Sequence, residues 1–132
     1  MTKVFADTFY FLALLNKHDE AHAKAVSYSG LIDKLVTTEW VLIELADGLA
    51  SSRHRKVFVQ TRQELIADAD AQVISFEKQL YDEGIQLFHN RADKHWSLTD
   101  CISFVAMKRE SITDALTGDH HFEQAGFVAL LK

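Results

Sequence analysis

The sequence predicts an α/β domain in which short parallel strands alternate with helices. Short runs rich in valine, isoleucine, phenylalanine and threonine recur along the chain, separated by longer segments with helical spacing of apolar residues. Such alternation predicts right-handed crossovers and a parallel sheet that helices cover on both faces. In addition, Asp7 and Asp119 each follow a predicted strand. Because ligands of open parallel sheets bind outside the carboxyl ends of the strands, these acids indicate a site there.

The composition sets broad bounds on the protein. Its 132 residues, 48% hydrophobic and 25% charged, predict one domain over residues 1–132. No apolar run approaches the roughly 20 residues that span a bilayer, and the N-terminus reaches Asp7 too soon for a secretory signal. We therefore expect a cytoplasmic protein with no membrane partner. The net charge of −5 argues against a strongly basic nucleic-acid-binding surface, but it is compatible with an acidic site that meets phosphate through metal ions.

Five segments have the character of short strands. The first is an apolar run that ends at Asp7, and the second and third are rich in β-branched residues. The fourth leads into the turn at Gly118, and the last closes the chain. In order, the predicted strands cover residues 3–6, 35–38, 72–76, 112–117 and 127–131.

Segments with helical periodicity fill the intervals between these strands. The first follows Asp7, and a second, alanine-rich helix ends at Gly30, a common stop signal. The helix after the second strand carries Glu44 beside a clear apolar face. In order, the predicted helices cover residues 9–15, 18–29, 39–49, 53–66, 77–89 and 101–109.

Four acids stand out, and each has an ordinary structural explanation. Asp7 suits the N-cap of the helix that follows it. Ser97-Leu98-Thr99-Asp100 matches the capping-box pattern, which on its own is the better explanation of Asp100. Asp119 suits a turn or the cap of a short following helix, and Glu44 suits a surface position on the polar margin of its helix.

The functional interpretation depends on the four acids as a set. Carboxylates that converge on one sheet edge repel each other, and their burial without counter-charge is costly. Mg²⁺ or Mn²⁺ removes that cost, because both ions prefer oxygen ligands and Mg²⁺ keeps several bound waters. Such a site suits phosphodiester hydrolysis. The hydroxyls of Thr8, Ser97 and Thr99 adjoin the acids and could orient them or a metal-bound water.

Four short motifs occur in an informative order: residues 4–8 (VFADT), the helix 39–49 with Glu44, Ser97-x-x-Asp100, and residues 115–122 (ALTGDHHF). Because of these motifs, the chain resembles the PIN-domain ribonucleases that act as VapC-like toxins of type II toxin–antitoxin pairs. The resemblance covers essentially the whole chain. The resemblance implies a PIN-like three-layer α/β/α sandwich with a short central parallel sheet. It also implies endonucleolytic cleavage of RNA, and often a homodimer inhibited by a small antitoxin protein.

The resemblance assigns the family's acidic, metal-binding and catalytic positions to Asp7, Glu44, Asp100 and Asp119, with Mg²⁺ or Mn²⁺ as the cofactor. Asp119 is the position whose importance we expect to vary.

A basic cluster on the predicted helix 53–66 is the best candidate for contacts with RNA. It contains Arg53, Arg55, Lys56 and Arg62, which could contact backbone phosphates. The alternative is a solvated helix face, which is the usual role of a charged run.

Other polar and aromatic residues receive structural interpretations. The adjacent histidines His120 and His121 follow Asp119 and could reach a scissile phosphate or a metal, but we expect His121 to lie at the surface and His120 to help close the turn. Cys101 lacks a neighbouring base, so a nucleophilic role is disfavoured. Trp40, which is followed by Val41 and Leu42, suits the core or an interface.

Two other functions remain as alternatives. The first is a non-catalytic PIN-like module that binds RNA or a protein, although such a module would usually have lost one of the acids. The second is a receiver-type phosphoacceptor, which needs an acid at the end of the third strand. The predicted third strand ends Ile74-Ser75-Phe76, and no lysine follows the late strands at a suitable place, so this alternative ranks low.

Overall fold

The computed structural model describes residues 3–132 and contains one five-stranded parallel sheet. The strands are β1 (Lys3–Ala6), β2 (Lys34–Thr38), β3 (Ala71–Ile74), β4 (Asp114–Leu116) and β5 (Val128–Ala129). Their order across the sheet is β3-β2-β1-β4-β5. The chain adds β2 and β3 on one side of β1 and then crosses over to add β4 and β5 on the other side. The topological switch point therefore lies between β1 and β4.

Seven helices flank the sheet in the described residues. They are α1 (Thr8–Leu15), α2 (His22–Ser29), α3 (Glu39–Gly48), α4 (Arg55–Ala67), α5 (Lys78–Asn90), α6 (Leu98–Arg109) and α7 (His120–Gln124). None of these helices has the length and apolar character needed to cross a membrane. The predicted α/β/α arrangement is confirmed.

The core forms around the central strand. Val4, Phe5 and Ala6 are fully buried, as expected for a parallel strand covered on both faces. Close helix packing contributes on one face, because a Cβ atom at Gly84 of α5 would collide with the side chain of Ile102 on α6. Residue 84 must therefore stay small for these two helices to approach each other.

The register of β1 places the ends of two strands side by side. Ala6 pairs with Leu116 of β4, and the Asp7 N–H donates to the Leu116 carbonyl over 3.4 Å. Asp7 and Thr117, the residues that follow these two strands, therefore lie together at the switch point.

The structure corrects several predicted boundaries. The helix predicted from residue 18 begins at His22, because Asn16 Oδ1 and Asp19 Oδ1 accept hydrogen bonds from the main chain and form turns instead. The strand predicted over 112–117 is reduced to Asp114–Leu116, since the Ile112 N–H still donates to Met107 in the last turn of α6. The strand predicted over 72–76 covers Ala71–Ile74.

The strand order also decides against the receiver-type alternative. Receiver-like domains of the flavodoxin class have the order 2-1-3-4-5, with the third strand next to the first. Here β3 is an edge strand, separated from β1 by β2. The end of β3 is thus remote in the sheet from the acids at the switch point.

Candidate metal centre

Asp7 lies at the carboxyl end of β1 and is only 6% exposed. It occupies the N-cap position of α1, but its side chain makes no capping hydrogen bond. Instead, Asp7 Oδ2 accepts a hydrogen bond of 2.9 Å from the hydroxyl of Thr117, which follows β4. The capping explanation of this carboxylate is therefore wrong, because the strand register directs it across the switch point.

The electrostatic setting of Asp7 is unfavourable to a negative charge. The pKa of Asp7 is raised from 3.8 to about 7, mainly by burial; the charges of Asp100 and Glu44 contribute to the increase, and the hydrogen bond from Thr117 opposes it. Among residues 3–132, no lysine or arginine forms an ion pair with any of these three carboxylates. A divalent cation is the kind of partner that would stabilise them.

Asp100 combines a structural role with a place in the same cluster. The predicted capping box is confirmed: the Asp100 N–H donates to Ser97 Oγ over 3.0 Å, and Asp100 Oδ2 accepts from the Ser97 N–H over 3.2 Å. The side chain is nevertheless buried, and burial raises its pKa, as does the charge of Asp119 to a lesser extent. The cap therefore holds a carboxylate that the site can use.

Asp119 is brought to the site by the short loop after β4. Its Oδ1 caps α7 by accepting from the His121 N–H over 2.9 Å, so the predicted cap is confirmed. Gly118 allows the loop to run against α1, since a Cβ atom there would lie 2.5 Å from the Phe9 ring. This close approach explains why a glycine precedes Asp119.

Glu44 reaches the site from α3. The hydroxyl of Thr8 donates to Glu44 Oε1 over 2.5 Å, which joins the side chain of α3 to the first residue of α1. Because Thr8 is buried and adjoins Asp7, this hydrogen bond holds Glu44 beside the cluster rather than in solvent. Thr8 thus has the orienting contact that the sequence predicted. Thr99 has none, because its hydroxyl makes no hydrogen bond to the four acids within the described part of the chain.

No sequence pattern indicated a role for Thr117, and the sequence favoured a surface position for His121. The fully buried hydroxyl of Thr117 donates to Asp7 and accepts from the Asp119 N–H over 3.1 Å. The expectation that His121 lies at the surface was wrong, because its side chain is 20% exposed and its Nδ1 lies 3.1 Å from Asp100 Oδ2. The only sequence signal for either residue was its proximity to Gly118-Asp119.

The remaining candidates are less closely tied to the cluster. Arg53, Arg55 and Lys56 are exposed, whereas Arg62 forms an ion pair of 2.8 Å with Glu39. Cys101 is buried, and burial raises its pKa to about 11, which agrees with the absence of a nucleophilic role.

The donor set fits a hard divalent cation. The cluster offers carboxylate oxygens from four different elements, two of them on buried side chains whose pKa burial raises. Both hydrogen bonds to Asp100 reach Oδ2, and the hydrogen bond to Asp119 reaches Oδ1. Within residues 3–132, no hydrogen bond reaches Asp100 Oδ1 or Asp119 Oδ2, so each carboxylate keeps an oxygen for a metal. A further group, Asp119, His120 and His121, places three donor atoms within 4.8 Å of one another.

Comparison with known protein families identifies this architecture. The family model described as the PIN domain matches residues 4–128. The chain belongs to the PIN-domain family. The order and placement of the strands and helices in this PIN domain are those of solved VapC structures, which confirms the resemblance inferred from the sequence.

Three solved structures illustrate the likeness of this PIN domain to its relatives. VapC20 of Mycobacterium tuberculosis, described as a sarcin–ricin loop cleaving toxin, has a TM-score of 0.86 and 23% identity, with 95% of this chain and 96% of that chain covered. VapBC2 of Rickettsia felis, bound to a DNA fragment from its promoter, has a TM-score of 0.65 and 14% identity, with 96% of each chain covered. VapBC-1 of nontypeable Haemophilus influenzae has a TM-score of 0.67 and 15% identity, with 100% of each chain covered. No curated protein sequence matches the chain.

Proposed function

We propose that this PIN domain is a metal-dependent endoribonuclease that hydrolyses RNA phosphodiester bonds. The observation that carries the proposal is the buried Asp7 carboxylate, close enough to Asp100 and Glu44 for their charges to raise its pKa, at the switch point of a parallel sheet. No lysine or arginine in the described chain pairs with the cluster. Bound Mg²⁺ or Mn²⁺ would relieve this repulsion and supply the charge that phosphodiester hydrolysis requires.

The proposal gives each residue a defined task. Asp7, Glu44, Asp100 and Asp119 hold the metal, and their remaining oxygens can position the attacking water. Thr8 orients Glu44, and Ser97 orients Asp100 through the capping box. The active site would then consist of side chains fixed by the sheet and by helix starts, as a preorganised site requires.

The biological setting we propose is that of a toxin with a small inhibitory partner. The likeness to VapC20 and to the VapBC complexes supports a toxin–antitoxin pair, acting in the cytoplasm, where the substrate is found. A groove of about 400 Å³ between α1 and α4 offers a surface for the antitoxin. Its lining includes the apolar residues Tyr10, Leu14 and Leu65 and the acidic residues Glu64, Asp68 and Asp70, which suits a partner segment with apolar and basic side chains.

We also propose a homodimer formed through an exposed aromatic face. Trp40 stacks on Tyr81 with ring centroids 6.2 Å apart and meets Phe76 edge-on at 5.2 Å. Tyr81, Ile85 and Phe88 continue this face along α5 at helical spacing and are exposed. A contiguous apolar face of this kind usually marks an interface, and a patch that pairs with its own copy forms a twofold dimer.

Contacts with RNA are assigned to the basic residues near the start of α4. Arg53, Arg55 and Lys56 are exposed and available for backbone phosphates. Arg62 remains part of the proposed surface, but its contact with RNA would have to compete with its ion pair to Glu39.

The direct test is cleavage of RNA by the purified protein with Mn²⁺ or Mg²⁺, compared with D7N, D100N and E44Q. Each substitution should abolish most cleavage while the protein keeps its helical content by circular dichroism. D47N is a matched control for E44Q, because Asp47 lies on the same helix but is exposed. If the wild-type protein binds Mn²⁺ or RNA but cleaves no RNA under any metal condition, the non-catalytic module is correct and the ribonuclease proposal fails.

A further inference from the structure

The side chain of His121 lies against the carboxylates of two of the four acids. Its Nδ1 lies 3.1 Å from Asp100 Oδ2 and 3.5 Å from Asp119 Oδ1. Its main-chain N–H donates to the same Asp119 oxygen over 2.9 Å. One residue therefore connects a carboxylate at the start of α6 with a carboxylate at the start of α7.

The helix that carries His121 is fixed from two sides. Phe122 is fully buried and packs edge-on against Phe104 of α6, with ring centroids 4.9 Å apart. Trp96 Nε1 donates to Gln124 Oε1 over 3.0 Å at the other end of α7. These contacts set the position of the main chain at His121, so its imidazole is held against Asp100 by the fold itself.

The neighbouring histidine provides an internal contrast. The side chain of His120 is 62% exposed, and its Nδ1 is 3.7 Å from Asp119 Oδ1, too far for a hydrogen bond. Within the described residues, His120 makes no contact with Asp7, Glu44 or Asp100. The two adjacent histidines thus differ in exposure and in the contact with Asp100, which only His121 makes among the described residues.

We propose that His121 is a positioning residue that sets the separation of Asp100 and Asp119 for one divalent cation. For an ionised Asp100, the imidazole must donate from Nδ1, because a carboxylate only accepts hydrogen bonds. This donation and the capping bond from Ser97 both engage Oδ2, and Oδ1 is left to the metal. The inference rests on the proposed function, since it assumes that these carboxylates bind a cation.

The hydrogen bond from His121 and the capping bond from Ser97 together hold the Asp100 carboxylate in one orientation. Groups that orient metal ligands in this way typically change metal affinity or activity about 10–100-fold when they are removed.

The test is calorimetric titration of the metal-free protein with Mn²⁺, which measures affinity without RNA. H121L should bind Mn²⁺ about 10–100-fold more weakly than the wild-type protein. H121N, whose amide nitrogen occupies nearly the place of Nδ1, should retain an affinity nearer to wild type than to H121L. H121Q moves the donor one bond further and should not restore binding. H120L is the matched control and should bind as the wild-type protein does.

A second measurement separates positioning from simple loss of structure. The RNA-cleavage rate of H121L should recover as the Mn²⁺ concentration increases, whereas the KM for RNA should stay near the wild-type value. If circular dichroism shows that H121L is unfolded, the Mn²⁺ affinities of H121N and H121Q provide the same comparison.

The outcomes of these titrations distinguish a failure of the role proposed for His121 from a failure of the proposed ribonuclease function. Equal Mn²⁺ affinity of the wild-type protein and H121L would overturn the role of His121 while leaving the ribonuclease proposal intact. An equal loss of Mn²⁺ affinity in H120L and H121L would overturn the positioning role of His121. It would instead indicate that both imidazoles bind the metal directly together with Asp119. If the wild-type protein binds no divalent cation, the proposed function and this inference both fail.

Discussion

Thr117 donates a hydrogen bond of 2.9 Å to Asp7, although the two residues are 110 positions apart in the sequence. The contact exists because β4 lies directly beside β1 and both strands end at the same level. Thr117 also accepts from the Asp119 N–H, so a single buried hydroxyl connects two of the four acids. The geometry of the site is therefore a property of the sheet register as much as of the acids themselves.

Replacement of Thr117 by valine should remove the hydrogen bonds of this side chain while keeping its size and shape. T117V removes the donor to Asp7 and the acceptor for Asp119, and unpaired buried polar groups cost about 1–3 kcal/mol each. We expect a lower free energy of unfolding in urea and weaker Mn²⁺ binding. T117S keeps the hydroxyl and should recover most of both quantities. Wild-type Mn²⁺ affinity in T117V would show that this hydroxyl does not organise the site.

The stability of the metal-free protein should depend on pH through Asp7. Its pKa is about 7 in the folded state and near 3.8 when unperturbed, so the folded state binds the proton more tightly. The stabilising effect of this proton is complete below about pH 4 and is lost as the pH increases to about 7, a change of up to about 4 kcal/mol.

Urea unfolding of wild type and D7N in a chelator tests this dependence between pH 4 and 8. D7N lacks the titrating group, so its stability should decrease less with pH, and it should exceed wild type in stability at pH 8. D47N should follow the wild-type profile, because the residue is exposed on α3. Parallel profiles for wild type and D7N would contradict the raised pKa.

Gly118 should be intolerant of even one added methyl group. In G118A the new Cβ would lie 2.5 Å from the Phe9 ring, so either the ring or the loop carrying Asp119 must move. We expect reduced stability and a large loss of RNA cleavage, with partial recovery in the double variant G118A/F9L. G30A is the matched control, because a Cβ at Gly30 meets no atom within 4 Å. Full activity of G118A would show that the position of Asp119 is not critical.

The proposed dimer face can be tested by adding charge to α5. I85E places a carboxylate in the centre of the exposed stripe, where burial in an interface would be costly. Light scattering during gel filtration should show a dimer for wild type and a monomer for I85E. V26E changes an exposed apolar residue on α2 and should remain dimeric. A monomeric wild-type protein, or a dimeric I85E, would contradict this assignment.

The sequence predicted those features that local patterns encode. The alternation of strands and helices and the Ser97 capping box depend on residues a few positions apart. Thr117 was missed and His121 was assigned to the surface, because their positions depend on contacts between distant segments. The pairing of β1 with β4 and the packing of Phe122 against Phe104 have no signature in the adjacent sequence.

The predicted start of α2 was wrong for a local reason. Residues 18–21 have adequate helical composition, but Asn16 and Asp19 accept main-chain hydrogen bonds through their side chains. Such hydrogen bonds stabilise turns in place of the helix. The difference in free energy between the two conformations is too small to be inferred from the periodicity of apolar residues.

We infer that the acids from separate elements form a single cation site. The most direct test of this inference is an anomalous difference map from crystals soaked in Mn²⁺. We predict a peak within coordination distance of Asp7 and Asp100, with Asp119 or Glu44 completing the shell directly or through water. The absence of a peak beside Asp7, or a peak confined to Asp119, His120 and His121, would show that the four acids do not share one cation.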